Sequence, residues 1–131
     1  MVMSVTRIEP TTMARPGGHY SHVVVHNGVA YVSGQLPIGP AGPLPATASF
    51  EEQARQVLAN VRAAVDAAGS DLSKVLKCTV YVVDIADWPT FNRLYAEMFG
   101  EHRPARAVVP VSPLHYGYRI EMDAIAAVSE P

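Results

Sequence analysis

The chain has a single cysteine, Cys78, among its 131 residues. One thiol excludes an intrachain disulfide and a cysteine-based zinc site. Cys78 alternates with Leu76 and Val80, which reads as a small core residue rather than a nucleophile. No apolar run approaches the roughly 20 residues of a membrane helix. Met1 to Pro10 alternates and carries an early Arg and Glu, so it does not read as a signal peptide, and a cytoplasmic protein is expected. Charge is scarce as well. Charged residues make up 17% of the chain and the net charge is -2, with a pI of about 6.2, so nothing supplies the basic field that nucleic-acid binding needs. There is no GxSxG, P-loop, GxGxxG or HExxH. Five histidines are present, but His19 and His22 straddle a loop and a strand start without acidic partners at recognisable spacing. No metal site is expected from them.

What the chain has is apolar residues, 49% of the total, and length for one domain, 1–131, with a real core. Val2 to Ile8 reads as a strand. Pro10 to Gly18, with two prolines and two glycines, is a loop. HVVVH (His22 to His26) and VAYVS (Val29 to Ser33) flank Asn27-Gly28, a strong hairpin signal because both turn residues tolerate positive φ. Gly34 to Pro45 holds four prolines and three glycines and predicts a surface loop. Ser49 and Glu52 form a capping box before an amphipathic helix that buries Ala54, Val57, Leu58, Val61, Ala64, Val65 and Ala68 and stops at Gly69. Val75 to Val83 is a strand with Leu76, Cys78, Val80 and Val82 on one face. Asp87 caps a second helix, whose buried stripe is Trp88, Phe91, Tyr95, Met98 and Phe99. Strands follow at Ala105 to Val111 and Tyr118 to Val128. This order predicts an α+β domain, a single mixed six-stranded sheet with two helices packed on one face. The other face is half apolar, through Val24, Thr79, Tyr81, Val83 and Ile125, which predicts a homo-oligomer.

The last two strands each carry a charge among apolar residues. Arg106 precedes Ala107, Val108 and Val109, and Glu121 lies between Ile120 and Met122. A charge in such a setting is costly unless it is paired or used. An arginine fork fits a carboxylate. A glutamate in an apolar cleft is a candidate acid or base. The plainer reading pairs Glu121 with Arg106 on a neighbouring strand, or with Arg119. Tyr20-Ser21, Ser33-Gly34-Gln35, Asn92 and His115 stand at strand ends, loops or the second helix. Their plain roles are packing for Tyr20, a backbone hydrogen bond for Ser33 and a bond to a nearby loop for Asn92. His115 stands where it can reach a cleft.

Together these residues resemble the Rid (reactive intermediate deaminase, YjgF) family. PAR before a valine-rich strand and IEMDAIA resemble its PARSxV and EIEAIA signatures. The likeness extends through Tyr20-Ser21, Tyr31 to Pro37, Gln53 to Gln56, Asn60-Val61, Lys77 to Val82 and Asn92…Tyr95…Phe99. The resemblance implies a chorismate-mutase-like fold, a homotrimer with clefts between subunits, and hydrolysis of 2-imino acids, formed from enamines such as 2-aminoacrylate, to 2-oxo acids and ammonia without a cofactor. It places carboxylate binding on Arg106 and water orientation on Glu121, with Tyr20, Ser33, Gly34 and Asn92 in the pocket. Ala107, Val108 and His115 depart from the family pattern, leaving one wall less polar and adding an imidazole to another, which points to a larger or more specialised imine or enamine. The competing readings are a non-catalytic trimer that binds small 2-oxo acids, and a ribonuclease or translation inhibitor, against which the acidic balance argues.

Overall fold

Asn27 and Gly28 adopt φ of 55° and 76°, and the right-handed strand twist this turn favours sets up one long sheet. A computed structural model describes residues 4–128. Its strands are β1 (Thr6–Ile8), β2 (Val23–His26), β3 (Val29–Gln35), β4 (Ile38–Gly39), β5 (Gly42–Pro43), β6 (Val75–Val82), β7 (Ala105–Pro110) and β8 (Ile120–Ala127), with helices α1 (Phe50–Ala67) and α2 (Trp88–Phe99). The main sheet has six strands in the order β1-β2-β3-β8-β6-β7. Every neighbouring pair is antiparallel except β6 and β7, which need a crossover, and α2 supplies it.

Alternation along β8 decides the layers. Ile120, Met122, Ala124 and Ala126 are buried, while Glu121, Asp123 and Ile125 are only partly covered. The buried set joins Val32, Cys78, Val80 and Val82 with Val57, Val61 and Val65 of α1 and Phe91, Leu94 and Phe99 of α2 in one core. Both helices therefore cover one sheet face. The other face is bare, with Tyr31 and Val109 exposed and Val24, Tyr81 and Ile125 half-buried.

Ser49 caps α1 by accepting from Glu52 N, and its hydroxyl donates to the Glu52 carboxylate. The reciprocal bond of the expected box thus runs between side chains. Gly69, at φ 81°, ends the helix region. The Gly34 to Pro45 stretch is not wholly irregular, since β4 and β5 form a two-stranded ribbon within it. Two buried polar side chains of α1 hold this ribbon and the segment that follows it. Asn60 Nδ2 donates to Leu36 O and Ile38 O at 3.1 and 3.0 Å, and Gln53 Nε2 donates to Ala46 O and Ala48 O.

Several sequence expectations change. The strand expected over Val2 to Ile8 begins at Thr6, and its first two residues lie outside the described ones. Leu76 does not share the face of Cys78: it is 49% exposed while Val75 is buried. The β6/β8 register shifts between Val75 and Lys77, and a bulge inverts the face of what precedes it. Asp87 makes no side-chain cap. Both its oxygens accept from Arg119 Nη2, at 2.8 and 2.7 Å, an ion pair that outweighs a cap bond. Arg119 is thereby taken, so it does not pair with Glu121. In α2, Leu94 is fully packed, whereas Trp88 and Met98 only flank the core.

Candidate functional site

Arg106 lies opposite Cys78 in the parallel β6/β7 ladder, so it shares the helix-covered face. It stands at the sheet edge, where α2 meets it with one helical face. The Arg106 guanidinium carbon is 4.6 Å from the Trp88 ring centre and 4.7 Å from that of Tyr95. Its Nη1 donates to Asn92 Oδ1 at 3.1 Å. Among the described residues no carboxylate pairs with it. Aromatic rings hold a guanidinium through cation–π attraction without consuming its N–H donors, and Asn92 engages only one nitrogen. The rest of the fork faces a groove of about 570 Å³ lined by Asn92, Tyr95, Arg103 and Arg106, among others.

Tyr95 is buried, and among the described residues its hydroxyl has no hydrogen-bond partner, with the Cys78 thiol the polar group acting on it. A thiol is a weak hydrogen-bond partner. Burial pushes the Tyr95 phenol well above its ordinary range and the Cys78 thiol up to about 11. Cys78 is an inert core residue, as the sequence suggested.

Glu121 stands on the bare face, opposite Tyr81 of β6. Its open groove, about 930 Å³, is lined by Gly34, Tyr81, Pro110 to Leu114, Glu121 and Asp123. Burial pushes the Glu121 carboxyl above its ordinary value; the His115 charge opposes this and Asp123 reinforces it. The carboxylate rests directly on Gly34. A Cβ there would overlap the Glu121 side chain, lying 3.0 Å from its Cδ and closer to Oε2. Glycine is needed at this position for space, and the register irregularity between Val32 and Gln35 marks the distortion of β3. Gly34→Ala should displace the end of a flexible side chain rather than the backbone. We expect it to melt within about 1 kcal/mol of the parent while losing more than about tenfold in turnover; thermal denaturation and a rate assay on the same sample check both halves.

The remaining candidates divide between two walls. Asn92 accompanies Arg106, and Val108 packs against the core on the same face of β7, lining neither groove. Tyr20 and Gly34 line a small pocket on the Glu121 side. Tyr20 is 48% exposed and meets His22 edge-on at 5.9 Å. The Ser33 hydroxyl donates to Ser21 O at 2.6 Å, the plain role anticipated for it, and ties the Tyr20 segment to β3. His115 is exposed in a short turn. His22 donates from Nε2 to Ala14 O and accepts from Gln35 at Nδ1. Among the described residues no cluster of three metal-ligating side chains occurs.

The two walls do not meet within one chain. Contrary to the expectation of neighbouring strands, β6 separates β7 from β8. Arg106 and Glu121 lie on opposite sheet faces, two strand spacings and three ladder positions apart, or about 10 Å in each direction. The sequence reading also missed the aromatic cradle. Trp88, Asn92 and Tyr95 fall at i, i+4 and i+7, a spacing that puts all three on one helix face. That signal was present but indistinguishable from a packing stripe.

The family described as Endoribonuclease L-PSP matches residues 11–128. The chain is 41% identical over 112 residues to a RutC family protein of Pyrococcus horikoshii, covering 86% of this chain and 89% of that one. It is 37% identical over 125 residues to the 2-iminobutanoate/2-iminopropanoate deaminase of Homo sapiens, covering 94% and 91%. Among solved structures it is similar to E. coli TdcF with bound serine, with a TM-score of 0.88 at 35% identity over 95% of this chain and 99% of that one.

Proposed function

Because this chain belongs to the endoribonuclease L-PSP family, the Rid or YjgF family of the resemblance above, we propose that it is a 2-imino acid deaminase whose active site forms between protomers of a homotrimer. The observation that carries this reading is the state of Arg106. It is held by two rings and an amide, lacks a carboxylate partner among the described residues, and opens onto a groove. A partly covered guanidinium without a counter-charge suits an acidic ligand.

A 2-imino acid is only a few ångströms long, so one chain cannot apply both Arg106 and Glu121 to it. In the proposed site Arg106 of one protomer grips the substrate carboxylate with two parallel charge-assisted bonds, beside Asn92. Glu121 comes from the adjacent protomer, with Tyr20, Ser33, Gly34 and His115 around it. The bare, half-apolar sheet faces supply the surface for that assembly.

Water adds to the imine carbon as Glu121 accepts one of its protons. Glu121 passes that proton to the imine nitrogen, so the tetrahedral carbon holds a hydroxyl and an amine. Glu121 then carries the hydroxyl proton to the amine, the C–N bond breaks with its electron pair going to nitrogen as the C–O bond becomes a carbonyl, and ammonia leaves a 2-oxo acid. The overall reaction consumes one water and calls for no other reactant. Holding the carboxylate fixes the reacting carbon over the water, which is the positional part of catalysis, and a carboxylate of raised pKa suits the proton relay.

The deaminase name of the human relative supports the reaction class, and the serine in TdcF supports a site for small amino-acid-like carboxylates. Arg106 alone would serve a trimer that only senses 2-oxo acids, since capture needs no proton relay. A ribonuclease is disfavoured because Glu121 and Asp123 line the same groove and would repel phosphates. The deciding measurement feeds the protein an imine made in situ by an amino-acid oxidase. Ammonia and 2-oxo acid should appear well above the spontaneous rate. Binding of 2-oxo acid with no acceleration would leave only the sensor.

A further inference from the structure

Resting on the deaminase reading, we propose that Tyr116 and Tyr20 form an aromatic wall beside Glu121 that selects 2-imino acids with a large planar side chain, aryl above all. Tyr116 is one of two described non-glycine residues with positive φ, at φ 61° and ψ 16°. The other, Asn27, is a residue type that tolerates this region, whereas a bulky ring there is an outlier. Such strain persists where the surroundings fix it, and it gathers at functional sites.

The surroundings do fix it. Gly117 follows at φ 74°, and a Cβ on it would meet Ala46 Cβ at 3.4 Å, so the turn is pressed onto the proline-rich loop. Tyr118, buried beneath, donates its hydroxyl to Leu44 O at 2.7 Å. Tyr116 stands edge-on to Tyr118 at 6.1 Å and 5.7 Å from the His115 ring. Yet Tyr116 itself is 65% exposed. A strained backbone that holds an aromatic face in water points to a functional surface.

Its position says which ligand. The Tyr116 hydroxyl reaches the Gly17-Gly18 turn, lying 3.9 Å from where a Gly17 Cβ would stand. Gly17, Tyr20 and Gly34 line one small pocket, and Gly34 is the seat of the Glu121 carboxylate. The charge of His115, next to Tyr116 in the chain, acts on Glu121. Two largely exposed phenols therefore stand on the two loops flanking the proposed water-activating group. A substrate whose carboxylate points away to Arg106 would turn its side chain toward them, and stacked or edge-on rings add attraction beyond area burial.

The test compares phenylpyruvate with 2-oxobutanoate in calorimetric binding, and the corresponding imines in turnover, for the parent, Tyr116→Gly and Tyr20→Leu. Glycine relieves the left-handed strain, so Tyr116→Gly should fold. The parent should prefer the aryl ligand in both assays. The aryl-to-ethyl preference should fall by about tenfold in Tyr116→Gly, and in the same direction in Tyr20→Leu. A parent that prefers 2-oxobutanoate, or an unaltered ratio in Tyr116→Gly, overturns the wall. That holds equally if light scattering shows that the variant has come apart, which would make Tyr116 an assembly contact. A parent that binds phenylpyruvate with the Tyr116-dependent preference but accelerates neither imine sinks the deaminase reading and leaves the wall standing.

Discussion

Arg106→Ala should lower imine turnover by on the order of a thousandfold, because the variant loses a charge-assisted fork and with it the placement of the reacting carbon. The fold should survive. Among the described residues Arg106 makes one neutral hydrogen bond and two ring contacts, together worth about 1–3 kcal/mol, against the roughly 5–15 kcal/mol typical of a domain. The placement of Arg106 and Glu121 on opposite sheet faces adds a sharper expectation. Arg106→Ala and Glu121→Gln, each inactive alone, should recover activity when unfolded together and refolded as a mixture. A cleft that takes Arg106 from a Glu121→Gln subunit and Glu121 from an Arg106→Ala subunit is intact, and in a random equal mixture that describes about a quarter of the clefts. Recovery near that fraction supports a shared site. Mixed assemblies that stay dead would place both residues' work within one chain and defeat the proposal.

Glu121→Gln should cost a comparable factor in turnover while making the protein more stable at neutral pH. Burial raises the folded-state pKa of Glu121 above its ordinary value of 4.5, so between those two values the folded chain holds a proton that the unfolded chain has released. The contribution of this group to stability is therefore fully present below the ordinary value and is lost as pH rises through the raised one. Glutamine has no charge to desolvate. The melting temperature of Glu121→Gln should exceed that of the parent at pH 7, and the gap should close toward pH 4. Turnover carries the opposite signature. The ionised carboxylate takes the water's proton, so the parent should show an acid limb displaced above the usual glutamate range. A variant that is less stable than the parent at pH 7 would mean that the ionised group is held by attractive contacts rather than strained by burial.

Both predictions concern residues whose oddity is visible without a fold. Glu121 alternates with Ile120 and Met122, and that parity by itself puts it on the face those two avoid, as β8 confirms. The Asn27-Gly28 turn, the Ser49 cap and the Gly69 stop are equally local, since each depends on the φ preference or side-chain reach of adjacent residues. Local chemistry is what a single sequence expresses well. A one-residue bulge shows how little it takes to lose the thread, for the shift between Val75 and Lys77 sends Leu76 to solvent although the pattern puts it beside Cys78.

Residue order alone thus determined that an arginine and a glutamate stand out of place in two apolar strands, and which side of its own strand the glutamate takes. The tertiary structure decided everything that joins them. In Ala105–Pro110 apolar residues occupy both faces, so no alternation says which way Arg106 points until Trp88, Asn92 and Tyr95 of α2 come over it. The insertion of β6 between β7 and β8, and the claim of Asp87 on Arg119, are settled by packing between segments far apart in the chain, where periodicity carries no information. The separation of the two charged groups follows from that packing, and it is what makes a second copy of the chain part of the proposed chemistry.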